Sequence, residues 1–292
     1  MSSLSQALAS DEFVVTSELT PPKGTDLSTL LTKAEKLKPH VTAINLTECH
    51  TARMAMDPVA AGHLMLDRGI EPIVQMTCRD KNRLAIQASV LGAAALGISN
   101  IVFMGGDPPK NGDHPEAKPV FDLYSAQLLE AAHALASGTD LMGNALSGTP
   151  TLFAGAVTNP GAADLDAEID NLQRKAAAGA CFFQTQAVYD AEAFAAFLEK
   201  ARLEQPMLAG IIPIKSVKMA NYMNERIPGV EIPDALIARI ADAGDDPKRV
   251  AQISIDIAAE TVRKLKPIAR GVHLMAIGWE KHIPEILARA GV

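Results

Sequence analysis

Residues 77–122 decide the fold: T-C-R-D-K-N-R-L-A-I-Q-A-S-V-L-G-A-A-A-L-G-I-S-N-I-V-F-M-G-G-D-P-P-K-N-G-D-H-P-E-A-K-P-V-F-D. An apolar run, Pro72–Met76, leads into this stretch at strand length. Asn82–Leu96 places Leu84, Ile86, Val90, Leu91 and Ala94 at helical spacing, and Gly97 is set to end that helix. Asn100–Met104 is a second apolar run, after which Gly105-Gly106-Asp107-Pro108-Pro109 turns the chain polar. This is a β-α-β unit. Both of its strands end in hydroxyl or charged residues on the carboxyl side, the edge that carries chemistry in α/β folds.

The same alternation extends in both directions. Phe13–Thr20, Val41–Leu46 and Pro72–Met76 read as strands one to three, with helices from Asp26 to about Leu37 and from Asp57-Pro58 to Arg68 between them. After strand four come a helix over Phe121–Ala136 and a Gly- and Ser-rich surface connection, Ser137–Pro150. Strands follow at Thr151–Val157, Cys181–Thr185, Met207–Ile212 and Gly271–Ala276. Helices are expected over Leu165–Ala178, Asp190–Ala201, Lys215–Asn224, Pro233–Ala243, Pro247–Leu265 and Trp279–Ala290. Eight strands alternating with helices predict a single-domain (β/α)8 TIM barrel over residues 13–292, preceded by an N-terminal segment, 1–12. A doubly wound open sheet is the alternative, but no G-x-G-x-x-G fingerprint follows any strand.

The totals narrow the function. The net charge of −7 disfavours nucleic acid or an anionic membrane as partner. Apolar segments are too interrupted for a membrane span, and Met1–Glu12 carries no basic, apolar leader. Three cysteines without a pairing pattern suggest reduced thiols and a cytoplasmic location. Aromatics are 4% of the chain, so aliphatic side chains and alanine are expected to fill the core.

In a barrel, residues just past each strand gather at one mouth. Here they are Glu18, Thr47, Glu48, Thr77, Arg79, Asp80, Asp107, Asn159, Gln184, Gln186 and Lys215. Separated acids, hydroxyls and amides suit a polar heterocycle. No G-x-S-x-G elbow or serine–histidine pattern is present, so hydrolysis is disfavoured. Gln184 and Gln186 are expected to divide, one facing the mouth and the other outside it. Cys49, His50 and Cys78 have no closed metal-ligand spacing. Taken alone, Glu18 could pair a structural cation, Asp107 could be a turn residue, and Arg174 and Lys175 read as solvated helix charges.

These residues carry a resemblance over nearly the whole chain. The chain resembles bacterial single-domain methylenetetrahydrofolate reductases in S-E-L-T-P-P-K-G (17–24), N-L-T (45–47), M-T-C-R-D (76–80) and G-G-D-P-P-K (105–110). It also resembles them in N-L-Q-R-K-A-A-A-G-A (171–180), F-F-Q-T-Q-A-V-Y-D (182–190) and G-I-I-P-I (210–214). H-P-E-A-K-P-V-F-D-L (114–123) and G-V-H-L-M-A-I-G-W-E (271–280) resemble the branch of acetogens and other one-carbon metabolisers.

The resemblance implies a barrel with bound flavin, FAD or alternatively FMN, that passes hydride from NADH or NADPH to 5,10-methylenetetrahydrofolate. Glu18 matches the general acid that protonates N10, and a carboxyl desolvated there is expected to have a raised pKa. Asp107 and Gln186 match residues that hold the pterin edge, with Asp107 also placing negative charge near the cofactor. Thr47 and Thr77 match positions beside the flavin ring, and Thr47 also borders the substrate. Asn171, Arg174 and Lys175 match ribose and phosphate contacts. Asn159 stands where the better-studied branch has a flavin-contacting histidine, and Gly155 where it has a tyrosine. Val217 replaces an aromatic that stacks on the ligand. The family allows operation in reverse, a homo-oligomer or a redox-partner subunit. Alternatives on the same barrel are a pterin-binding methyltransferase and a non-catalytic subunit of a larger reductase assembly.

Overall fold

The computed structural model describes residues 1–244 and 246–292. Its eight strands are β1 (Val14–Leu19), β2 (Ala43–Leu46), β3 (Pro72–Thr77), β4 (Asn100–Met104), β5 (Phe153–Thr158), β6 (Phe182–Ala187), β7 (Met207–Ile211) and β8 (Gly271–Leu274). All neighbours are parallel, and β1 pairs with β8 to close the barrel, so the (β/α)8 fold is as predicted. The helices are α1 (Ser3–Ala9), α2 (Ser28–Leu37), α3 (Pro58–Leu66), α4 (Arg83–Ala95), α5 (Ser125–Ala136), α6 (Leu165–Ala177), α7 (Ala191–Ala201), α8 (Val217–Arg226), α9 (Asp234–Ala241), α10 (Pro247–Leu265) and α11 (Ile283–Ala290). Among the described residues no helix is long and apolar enough to cross a membrane.

Both faces of each strand are buried, which is why the strands read as near-continuous apolar runs. Outward-facing Val15, Leu19, Ile44, Leu46, Val74 and Met76 pack under the helices in the main core. Inward-facing Val14, Ala43, Ile73, Val102, Phe182 and Leu208 fill the lower barrel. Phe182 stacks on Phe153 at 5.2 Å between centroids. A Cβ on Gly155 would lie 2.5 Å from Phe182, so only glycine admits that ring. The few aromatics are therefore concentrated where volume is needed. Phe103, Phe182, Phe183, Phe194 and Phe197 are among the largest fully buried side chains, more than the expected aliphatic core assigns them.

Two local features differ from the sequence reading. The chain from 1 to 12 includes α1, capped by Ser2, whose Leu4 and Leu8 join the lower-barrel cluster and plug its amino-terminal end. Helix α5 begins at Ser125, not Phe121. Val120 N–H and Phe121 N–H bond the Arg79 and Cys78 carbonyls at 2.7 and 3.1 Å, and Phe121 takes φ 44°. Those long-range bonds hold the segment against the β3–α4 loop and delay the helix. Around α4 the local signals suffice: Asn82 Oδ1 accepts from Leu84 N–H and Ala85 N–H, and Gly97 at φ 85° ends the turn.

Because Leu4 is fully buried under the barrel, Leu4→Ala is expected to cost about 2–5 kcal/mol in urea unfolding. A loss below about 0.5 kcal/mol, the range of surface changes, would show that α1 does not seal the barrel.

Candidate active site

Above the Phe182 layer the barrel interior turns polar. Asn45 Nδ2 donates to Gln184 Oε1 at 2.7 Å, and Gln184 Nε2 donates back to Asn45 Oδ1 at 3.1 Å. Thr16 Oγ1 lies 2.9 Å from His273 Nδ1, and Gln184 Nε2 lies 3.4 Å from that same nitrogen. All four side chains are at least 97% buried. Gln184 therefore faces the lumen, contrary to the expected division between the two glutamines. Residues i and i+2 of a strand share a face, so Gln186 stands one step nearer the mouth. It is half-buried, its Oε1 accepts from Ala187 N–H at 2.9 Å, and the ladder to β7 shifts register there.

Glu18 stands on this belt. Gln75 Nε2 donates to Glu18 Oε2 at 3.0 Å, and His273 Nε2 approaches the same oxygen at 3.9 Å. Burial pushes the Glu18 pKa up, but the His273 contact, the charges of His273 and His50 and the Gln75 bond outweigh it. The net direction is downward, the reverse of the expectation from desolvation alone. The carboxylate opens on a cavity of about 330 Å³ lined also by Asp26, Lys33, His50, Ile277 and Glu280.

The neighbouring strand ends supply a rigid rim. Thr47 is buried, and its Oγ1 has no hydrogen-bond partner among the described residues. Glu48 Oε2 accepts from Thr77 N–H at 2.6 Å and Thr77 Oγ1 at 2.7 Å, and Lys81 pairs with its other oxygen. Arg79 is clamped by Asp80 at 2.6 Å and reaches the Cys49 and Asp107 carbonyls. The Asp107 side chain is exposed at the same carboxyl-terminal mouth as Glu18. Gly106 at φ 84° brings this loop against Thr77, where a Cβ would meet the threonine at 3.0 Å.

The remaining cofactor candidates separate. Asn171 and exposed Arg174 line an open groove between α5 and α6, with Tyr124, Gln127 and Glu130. Lys175 points the other way: it is buried, its ammonium donates to the Val157 carbonyl at 2.8 Å, and burial pulls its pKa down. Asn159 Nδ2 donates to the Pro228 carbonyl at 3.1 Å, and its backbone N–H bonds Glu168. Lys215 donates to the Ile277 carbonyl and lies over the Trp279 ring. In this arrangement Lys175, Asn159 and Lys215 brace the walls, and Arg174 and Asn171 remain available to a ligand. The sequence reading missed Thr16, Asn45, Gln75 and His273. Their signal was polar residues at every second position of otherwise apolar strands, the lumen-facing set.

The profile of the methylenetetrahydrofolate reductase family matches residues 3–291. The chain belongs to this family. Methylenetetrahydrofolate reductase 1 of Schizosaccharomyces pombe is 26% identical over 247 residues, 81% of this chain and 38% of that protein. The 5,10-methylenetetrahydrofolate reductase of Salmonella typhimurium is 24% identical over 271 residues, 90% of this chain and 86% of that protein. The chain thus spans 38% of the length of the S. pombe relative and of methylenetetrahydrofolate reductase (NADH) 1 of Zea mays. A solved protein from Clostridium thermocellum that binds two copies of 5-methyl-5,6,7,8-tetrahydrofolic acid has TM-score 0.63 and 19% identity. It covers 99% of this chain and 98% of its own, a likeness of fold.

Within this reductase-family barrel, Glu18 ionises more readily when folded than in the unfolded chain. Its ionisation therefore contributes stability that is present above the unfolded carboxyl value of about 4.3 and is lost as pH falls through the lower folded value. The stability difference between wild type and Glu18→Gln should accordingly be most favourable to wild type near neutrality and shrink below about pH 4. Urea unfolding across that range measures it. A difference that stays constant or grows on acidification contradicts the paired carboxylate.

Proposed function

We propose that this protein reduces 5,10-methylenetetrahydrofolate to 5-methyltetrahydrofolate, with a reduced nicotinamide as hydride source and a bound flavin between them. The observation that carries this reading is the Glu18 carboxyl at the barrel mouth, supported from beneath by Gln75 and His273 and open to a cavity. Membership of the reductase family and the folate-binding barrel from C. thermocellum support the substrate class.

The residues present fit a flavin in two places. Thr47 Oγ1, buried and without a hydrogen-bond partner among the described residues, would be satisfied by the polar edge of a ring at the mouth. Arg174 and Asn171, on one face of α6, would hold phosphate and ribose groups along the α5–α6 groove through charge-assisted bonds. Thr77 is spent on Glu48, and Lys175 and Asn159 on main-chain carbonyls, so they shape this site from behind. When bound, the flavin supplies the hydride acceptor and donor that no side chain of this chain can be.

The chain's own task is the proton. Opening the five-membered ring of the substrate breaks the bond between N10 and the methylene carbon, and N10 must gain a proton as it leaves. Glu18 delivers that proton, and the carbon, now an N5 iminium, accepts the hydride and becomes the methyl group. Asp107 and Gln186 at the rim orient the pterin edge. Glu18, its side chain 16% exposed at the mouth, is a carboxylate. Covering it with a pterin removes water from the ionised form and raises its proton affinity, which loads the acid as substrate binds.

Glu18→Gln keeps the shape and removes the transferable proton. Folate reduction is expected to fall by about 10²–10⁴-fold, the usual contribution of general acid catalysis. Oxidation of nicotinamide by the flavin-loaded protein should change by no more than a few-fold, since it needs no proton at N10. Stopped-flow measurement of both half-reactions checks this. Equal slowing of the two would remove the acid role.

A further inference from the structure

The belt beneath Glu18 contains one titratable side chain that the reaction as written does not use. His273 projects from β8 into the lumen, 3% exposed, and touches Thr16, Gln184 and Glu18. Its two nitrogens have different surroundings. Nδ1 faces the Thr16 hydroxyl at 2.9 Å and the Gln184 amide nitrogen at 3.4 Å. As placed, the Gln184 amide nitrogen can only donate, while the Thr16 hydroxyl, which also lies 3.5 Å from the Val272 carbonyl oxygen and from that amide nitrogen, can donate or accept. Nδ1 is therefore the accepting nitrogen. In the neutral ring the proton sits on Nε2, which points at Glu18 Oε2 across 3.9 Å.

We propose that His273 is a positioning residue for Glu18: Thr16 and Gln184 fix its ring and tautomer so that Nε2–H faces the carboxylate from below. This rests on the reading of Glu18 as the proton donor. Its consequence is chemical. Transfer of the proton to N10 leaves a carboxylate, and the charge that appears on it meets the Gln75 Nε2 hydrogen bond at 3.0 Å and the His273 Nε2–H dipole at 3.9 Å. An N–H aimed at the charge that develops stabilises the product side of the transfer. The same contact makes the acid stronger and moves its titration downward.

The other groups facing Glu18 do not offer this geometry. His50 approaches from the turn after β2 and is exposed to solvent. Asp26, Lys33 and Glu280 line the cavity above, and Lys33 is already paired with Glu280 at 3.0 Å. Gln75 is neutral. Among the described residues, His273 is the buried titratable group that meets Glu18 from inside the barrel.

Two measurements test the proposal. The first is ¹⁵N NMR of histidine-labelled protein without ligands. It should show the neutral His273 ring as the Nε2–H tautomer, and Thr16→Val should loosen that preference. The Nδ1–H tautomer in wild type would overturn the proposal. The second is the pH dependence of single-turnover folate reduction by the holoenzyme. The rate falls as rising pH removes the Glu18 proton. His273→Phe, which keeps volume and loses the donor, should move that falling limb to higher pH by about one unit or more. His273→Gln, which restores an N–H near the Nε2 position, should bring it most of the way back. Thr16→Val should shift it in the same direction as His273→Phe by less, and serves if the phenylalanine variant does not fold. An unmoved limb in both variants, with the limb abolished in Glu18→Gln, overturns the role of His273 and leaves the acid reading standing. A Glu18→Gln holoenzyme that reduces folate at the wild-type rate overturns both.

Discussion

The closed set of hydrogen bonds across the barrel lumen, Asn45 with Gln184 and Thr16 with His273, is the constraint on which the site depends. A buried amide without a partner costs about 1–3 kcal/mol, so these groups are tolerable only when they meet one another. They come from β2, β6, β1 and β8, and meeting fixes the levels of those strands relative to each other. Below the belt, Phe182, Phe153 and the α1 plug fill the lumen with apolar volume. Above it, Glu18 has a polar floor and an open ceiling. A carboxylate placed two layers lower, at the level of Val14, would be without donors, and one placed outside the barrel would be an ordinary surface charge.

The rim is built by a second device, in which charges of the loops neutralise each other and hold main chain in place. Arg79 bridges the loops after β2 and β4 through the Cys49 and Asp107 carbonyls, and Glu48 fixes Thr77 and Lys81. Asp113 joins Lys23 to the Met54 N–H. The β2–α3 turn carries left-handed backbone at Cys49, Thr51 and Ala52 (φ 44°, 52° and 55°), and it packs so closely on Gly112 that a Cβ there would lie 1.8 Å from the Ala52 carbonyl. Backbone in such conformations persists only where the surroundings over-determine it. Here the surroundings are the loops that present Asp107. The opposite wall, with Lys175 and Asn159 bonded to carbonyls, is braced in the same manner, and that leaves Arg174 and Asn171 turned outward.

What was legible in the sequence follows from which signals are local. Strand β4 and helix α4 are marked by apolar period, an asparagine cap and a terminating glycine, all within a few residues. The start of α5 was not legible, because Val120 and Phe121 are held by bonds to residues some forty positions earlier. The facing of Gln184 was legible in principle: parity with Gln186 puts both on one side. The opposed directions of Arg174 and Lys175 were also within reach, since Lys175 lies three residues after buried Leu172 on the same helical face. The ionisation of Glu18 was not. Burial alone argues for a raised pKa, and the sign is reversed by His273, which lies 255 positions away and meets Glu18 only because β8 closes on β1.

Glu18 is proposed to stand as a carboxylate in the free protein and to become the loaded acid when a pterin covers it. Calorimetric titration with 5-methyltetrahydrofolate in buffers of different ionisation enthalpy measures this directly, because proton uptake appears as a buffer-dependent heat. Wild type is expected to take up protons on binding at neutral pH, as linkage requires for a group whose proton affinity rises on binding, and Glu18→Gln to take up none. Binding that exchanges no proton in wild type, or the same uptake in both proteins, would contradict it.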